Sequence, residues 1–197
     1  MGLPSPVERE AFHHRRIAVD GYRRRDGLWD IEAHMVDTKT YGFDNAWRGE
    51  IQPGEPLHDM WLRITLDDRM VVRDVVAVAA AHPFRACPEI TGNFRRLIGE
   101  TIGAGWSKRV RTLLGGVAGC THLVDLLGPI GTIAVQTIKS ARAQALIKTA
   151  EPTNQAAKDP VAPRRRPAMI DSCHAMRSDG EVVERLWPDF YTPAEST

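Results

Sequence analysis

Apolar residues keep one period up to about residue 84 and another beyond it, and this switch constrains the fold more than any single motif. From Leu28 to Thr38, Trp29, Ile31, Ala33 and Met35 fall on one face, while Asp30, Glu32, His34 and Thr38 fall on the other. A period of two marks a strand with one buried face. A second strand is expected over Met60 to Leu66, then a turn at Asp67-Asp68, then a valine-rich third strand from Met70 to Val78. After Phe84, Ile90, Phe94, Leu97, Ile98, Thr101 and Ile102 recur at helical spacing, continued by Val110, Leu113 and Leu114. Strands followed by helices predict an α+β fold, an antiparallel sheet of about three strands plus a C-terminal hairpin, packed on two or three helices.

The same pattern suggests boundaries. Residues 1–24 show little periodicity and read as an N-terminal arm, and residues 25–147 form the α+β core. Helices are expected near 91–114 and 121–146, the second bent or restarted at Gly128-Pro129, where proline removes a backbone donor. Residues 148–167 hold four prolines and no apolar period, as a linker or mobile loop does. In residues 168–197, Ser178-Asp179-Gly180 separates two short apolar stretches and predicts a hairpin, which needs the core or a neighbouring subunit to dock on.

Hydrophobic residues make up 43% and charged residues 26%, the proportions of one soluble globular domain. The net charge of +1 and the short, interrupted basic runs argue against nucleic acid as a partner. No signal segment or bilayer-length apolar run is seen, so the expectation is a cytoplasmic protein without a membrane partner. Three cysteines, an odd number, suggest free thiols or metal ligands rather than a disulfide framework.

Two stretches carry candidate chemistry. Residues 115–127 read GGVAGCTHLVDLL, which places Cys120 and His122 at the start of a helix with Thr121 as its expected N-cap. Cys120 is either a small packed residue or a reactive thiol. His58-Asp59 opens the second strand, and a histidine beside an acid can act as a general base near neutral pH. Asp74 and Glu89 are further acids; Asp74 falls among Met70, Val72, Val76 and Val78, so it is either paired or part of a site. The expected catalytic set is therefore His58, Asp59, Asp74, Cys120 and His122. Trp29, Tyr41 and Trp61 are expected to wall a substrate pocket, with Arg63 or Arg73 holding an anionic group. Cys87, Cys120, Cys173 and His122 make up an alternative metal set for zinc or iron, although no zinc-finger spacing occurs. Glycine-rich nucleotide loops and the common hydrolase motifs are absent, which argues against an organic cofactor.

Taken together, RRDGLWD, GEPLHDMWLR, ACP, GCTHL and DSCHA resemble an uncharacterised bacterial family, domain of unknown function 2889, from about Arg24 to Trp187. Such families tend to accompany genes for breaking down aromatic or steroid-like compounds, so the resemblance implies that context. The order of strands, cysteine, helix and second cysteine is also loosely similar to NifU-type iron–sulfur scaffolds, which implies an α+β architecture. The expected function is a small cytoplasmic catabolic lyase, a homo-oligomer in form, that releases carbon dioxide or formaldehyde from an aromatic or apolar acid or alcohol. A Cys/His metal or iron–sulfur assembly module and a non-catalytic partner of a larger enzyme are the alternatives.

Overall fold

Strand structure begins well before Leu28. His13–Arg23 forms strand β1 and pairs along its whole length with β2, Trp29–Lys39. The expected arm therefore contributes a full strand. Ile17, Val19 and Gly21 stand opposite Met35, Ala33 and Ile31, and the turn between the strands uses Gly27 at φ 87°, a conformation that favours glycine. The loop expected over 42–58 holds a small hairpin of β3, Phe43–Asn45, and β4, Gly49–Ile51. Strands β5, Pro56–Leu66, and β6, Val72–Ala81, complete an antiparallel sheet in the order β1-β2-β5-β6.

The computed structural model describes residues 2–149, 166–167 and 169–193, which fall into two units, Met1–Thr149 and Ala150–Thr197. In the first unit the sheet's inner face carries Trp29, Ile31, Ala33 and Met35 from β2 and Met60, Leu62, Ile64 and Leu66 from β5, all buried. The register of β6 shifts between Thr65 and Leu66 of its neighbour. This bulge turns Val75 inward beside Ile64 and leaves Val76 and Val78 exposed. Asp74 goes outward with them, and its carboxylate meets Arg95 at 3.0 Å.

Helical segments cover the inner face. The first expected helix is broken: Cys87–Leu97 is a 3-10 segment and α1 spans Trp106–Leu114. Between them, the carbonyl of Val72 accepts from Gly99, and Val72 donates to the carbonyl of Glu100, so the intervening chain pairs with the start of β6. The second expected helix restarts as anticipated, with α2 at Thr121–Asp125 and α3 at Leu127–Thr149. Pro129 sits in the first turn of α3, where its missing donor costs no helical bond. Leu126, Leu127, Ile130, Ala134 and Ile138 are buried in the core with Phe94, Leu97 and Trp106. The Trp106 indole donates to the carbonyl of Leu127 at 3.0 Å, which joins α1 to the head of α3. Helix α3 lies against β1 at Gly21, where a Cβ would clash with Thr137 Oγ1.

The linker expected over 148–167 lies mostly outside the described residues; Lys148 and Thr149 end α3. In the second unit the expected hairpin is helical. His174–Met176 and Pro188–Phe190 are 3-10 turns around α4, Glu181–Leu186. Gly180 serves as the N-cap of α4 rather than as a hairpin turn. Asp171 accepts a hydrogen bond from the Ser178 amide at 2.8 Å, and Ile170 and Val183 are buried.

Candidate functional site

Strand register builds a polar row at one end of the apolar inner face. Arg15 on β1 stands opposite Asp37 on β2, and Asp37 stands opposite His58 on β5. The two-residue period that buries Met35 and Met60 also turns Asp37 and His58 inward, and both are buried. A buried carboxylate needs charge and hydrogen-bond partners, and Asp37 has both. Arg15 grips it with Nε on Oδ1 at 2.7 Å and Nη2 on Oδ2 at 2.8 Å. His58 Nδ1 lies 3.1 Å from Oδ2, and His13 Nε2 lies 3.5 Å from Oδ1. The remaining Arg15 nitrogen, Nη1, donates to Asp125 on α2 at 3.0 Å, which ties the row to the helical layer.

His122, on the first turn of α2, closes over this row. Its ring stacks on that of His58 at 3.6 Å between centroids, with Nε2 3.9 Å from Asp37 Oδ2. Its Nδ1 lies 3.9 Å from Cys120 Sγ. Cys120, not Thr121, is the N-cap of α2, and it makes no side-chain cap bond.

Electrostatics follow from this packing. Burial works to raise the Asp37 carboxyl, but the hydrogen bonds and charge of Arg15 override it and hold the group below its ordinary range. Burial and the neighbouring His122 push His58 down to about 4, against the opposing pull of Asp37. Burial and Arg15 also lower His122. Asp37 is thus ionised at neutral pH and His58 is neutral. Because an ionised carboxylate only accepts, the His58 proton resides on Nδ1 and the lone pair on Nε2.

His58 and His122 line a cavity of about 730 Å3. Pro83, Phe84, Ala86 and Ile90 supply apolar wall on one side, and Val117, Gly119 and Cys120 on the other, with Cys87 and Glu89 also lining it. The cavity opens where the chain leaves β6 for the 3-10 segment and where the glycine-rich loop enters α2. The volume is in the range of small-molecule sites.

The expected catalytic residues separate in three dimensions. His58, Cys120 and His122 meet at the cavity, with Cys87 beside them. Asp59 faces the other side of the sheet and pairs with His34 at 2.9 Å, and Asp74 pairs with Arg95, so neither supports His58. The carboxylate that meets His58 is that of Asp37 instead. None of the five expected substrate-binding residues lines this cavity. Trp61 stacks on His34 on the outer face, where Arg63 pairs with Glu32. Arg73 pairs with Asp67, and Trp29 donates to Asp68 at 2.9 Å from the far end of β2. Tyr41 packs against Phe12. Cys173 belongs to the second unit.

Residues 13–136, more than half the chain, match the family described as Protein of unknown function (DUF2889). The chain belongs to the DUF2889 family. Arg15, Asp37, His58, Cys87, Cys120 and His122 all lie within the matched DUF2889 region. No curated protein and no solved structure matches the chain.

The group can serve as a metal site. One ligand atom from each of Asp37, His58 and His122 lies within 4.8 Å of the others, and among the described residues this is the group with such spacing. It differs from the expected cysteine set, since His122 is the only shared member. A cation there would share Asp37 with the Arg15 guanidinium, which already engages both carboxylate oxygens. Without a metal, the arrangement is a carboxylate-oriented neutral imidazole at the wall of an apolar cavity. Among the described residues no helix is long and apolar enough to cross a membrane.

Proposed function

We propose that this protein is a small catabolic enzyme, a lyase, that moves a proton at an aromatic or otherwise apolar substrate through His58. The observation that supports this reading best is the 3.1 Å contact between His58 Nδ1 and the buried, ionised Asp37, made where His58 lines the cavity. Asp37 fixes the tautomer and stabilises the imidazolium formed on proton transfer. With its pKa near 4, His58 is a weak base and, once protonated, a strong acid, which suits a reaction that borrows a proton and returns it. In a retro-aldol cleavage, Nε2 takes the proton of a substrate hydroxymethyl group as the bond to the neighbouring carbon breaks. Formaldehyde leaves, the bond's electron pair stays on the carbon beside the ring, and the imidazolium returns its proton there. Three free cysteines are in keeping with a cytoplasmic setting for this chemistry.

The test is to incubate the protein with aryl compounds bearing a hydroxymethyl or carboxyl group on the carbon attached to the ring and assay formaldehyde and carbon dioxide. Release by the wild type, with a loss of at least about 100-fold in His58→Ala, is the expected result. No release across the panel, or undiminished release by His58→Ala, would overturn the reading.

A second reading has its own support: the Asp37, His58 and His122 atoms have metal spacing, and both histidines are lowered toward the neutral form that metals bind. Nitrogen and carboxylate donors suit zinc or iron(II). Titration of zinc or anaerobic iron(II) into the protein and into His122→Ala, followed by calorimetry, separates this reading from the first. Stoichiometric binding that His122→Ala abolishes favours the metal centre.

A further inference from the structure

The cavity's walls carry a charge pattern that bears on what can enter it. Among the described residues that line it, none is Arg or Lys, and Glu89 is the only carboxylate. Arg15, the cation of the polar row, does not line the cavity. Two of its guanidinium nitrogens are spent on Asp37 and the third on Asp125. The arginines expected to grip an acid are elsewhere, Arg63 on Glu32 and Arg73 on Asp67.

Glu89 differs from the other acids of this region. Asp37, Asp59, Asp74 and Asp125 each have a basic partner, whereas the Glu89 side chain makes no hydrogen bond or ion pair among the described residues. It sits in the first turn of the 3-10 segment Cys87–Leu97, exposed at the cavity and flanked there by Cys87 and Ile90. A carboxylate ligand entering this cavity would trade water for apolar wall and approach a like charge, with no Arg or Lys among the described lining residues to compensate either cost. An alcohol loses far less on desolvation, and an ammonium group gains a partner in Glu89.

We infer that the cavity takes an uncharged or cationic apolar molecule, an aryl alcohol or aryl amine, and rejects the corresponding carboxylate, with Glu89 setting this preference. The inference rests on the proposed use of the cavity as a substrate site. Of the two substrate classes of the lyase reading, it selects the alcohol over the acid. It concerns binding alone, so the two readings fail separately.

The test uses three probes of one shape and different charge: 3-phenylpropan-1-ol, 3-phenylpropylamine and 3-phenylpropanoate. Each is titrated at pH 7 into the purified full-length protein, with methyl signals of Ile90 and Val117 reporting occupancy. The alcohol and the amine are expected to move those signals and to bind at least about tenfold more tightly than the propanoate. Glu89→Gln should weaken the amine about threefold and leave the alcohol unchanged, as expected for an exposed charge. Glu89→Lys should invert the order of amine and propanoate. Propanoate binding as tightly as the alcohol, an unchanged order in Glu89→Lys, or no binding by any probe would overturn the inference. Absence of formaldehyde release with the binding order intact would instead remove only the lyase reading.

Discussion

The stacked pair of His58 and His122 should make the protein lose stability in mild acid, in a window set by the buried His58. In the native state burial and His122 hold the His58 imidazole down at about 4, against an ordinary 6.5. Between these values the unfolded chain binds a proton that the native state refuses, so stability falls as pH drops from 6.5 toward 4 and is level above 6.5 for this group. The interval from 6.5 to about 4, at about 1.4 kcal/mol per pH unit, amounts to about 3 kcal/mol. His122 is shifted the same way and adds to the slope. Asp37 is lowered instead, so its stabilising contribution is lost only as pH falls below its ordinary 3.8. Urea unfolding from pH 7 to pH 4 measures the slope. In His58→Gln the side-chain amide can still donate to Asp37 but does not titrate, and its loss across the window should be smaller than that of the wild type by about 3 kcal/mol. Equal slopes in the two proteins would refute the assignment of a buried neutral His58.

Three further predictions follow from particular contacts. Asp37→Asn leaves the Arg15 guanidinium without its buried partner, so unfolding free energy should drop by about 3 kcal/mol or more, measured in urea at pH 7; a change within error would mean that the row carries no structural charge. Gly21→Ala should destabilise by about 1–3 kcal/mol through overpacking against Thr137, and Thr137→Ala should restore most of the loss in a double-mutant thermal melt. Cys120→Ser should leave the melting temperature nearly unchanged, because Cys120 is only half-buried and makes no cap bond; a large fall would give the thiol a packing role.

Much of the fold is legible in the sequence because period two and helical spacing are local signals. The strand from Trp29 to Met35 and the restart of the helix at Gly128-Pro129 are of this kind. His58 is legible too, two residues before the inward Met60. Asp37 continues the stripe of Trp29, Ile31, Ala33 and Met35 by one more step of two, and a carboxylate on an apolar stripe is a signal for a buried charge. The nearer acids, Asp59 and Asp74, draw attention from it, although adjacency along a strand sends Asp59 to the opposite face from His58. Arg15 is harder to read, since β1 is largely exposed and its alternation is weak. The bulge that turns Val76 and Val78 outward depends on pairing between strands, which no local period reports. Ser178-Asp179-Gly180 illustrates a true ambiguity, because residues that suit a hairpin turn also suit the start of a helix. That His122 meets His58 is a matter of tertiary packing between α2 and β5, beyond the reach of spacing.

The most direct test of the central claim, that Asp37 holds a neutral His58 ready at the cavity, is the protonation state and tautomer of that ring. Long-range proton–nitrogen NMR spectra of 15N-histidine-labelled protein at pH 7, assigned with His58→Gln, distinguish the two ring nitrogens. The expected result is a neutral ring protonated at Nδ1 with a lone pair on Nε2, and loss of that fixed tautomer in Asp37→Asn. A His58 ring that is an imidazolium at pH 7, or one protonated at Nε2, would contradict it.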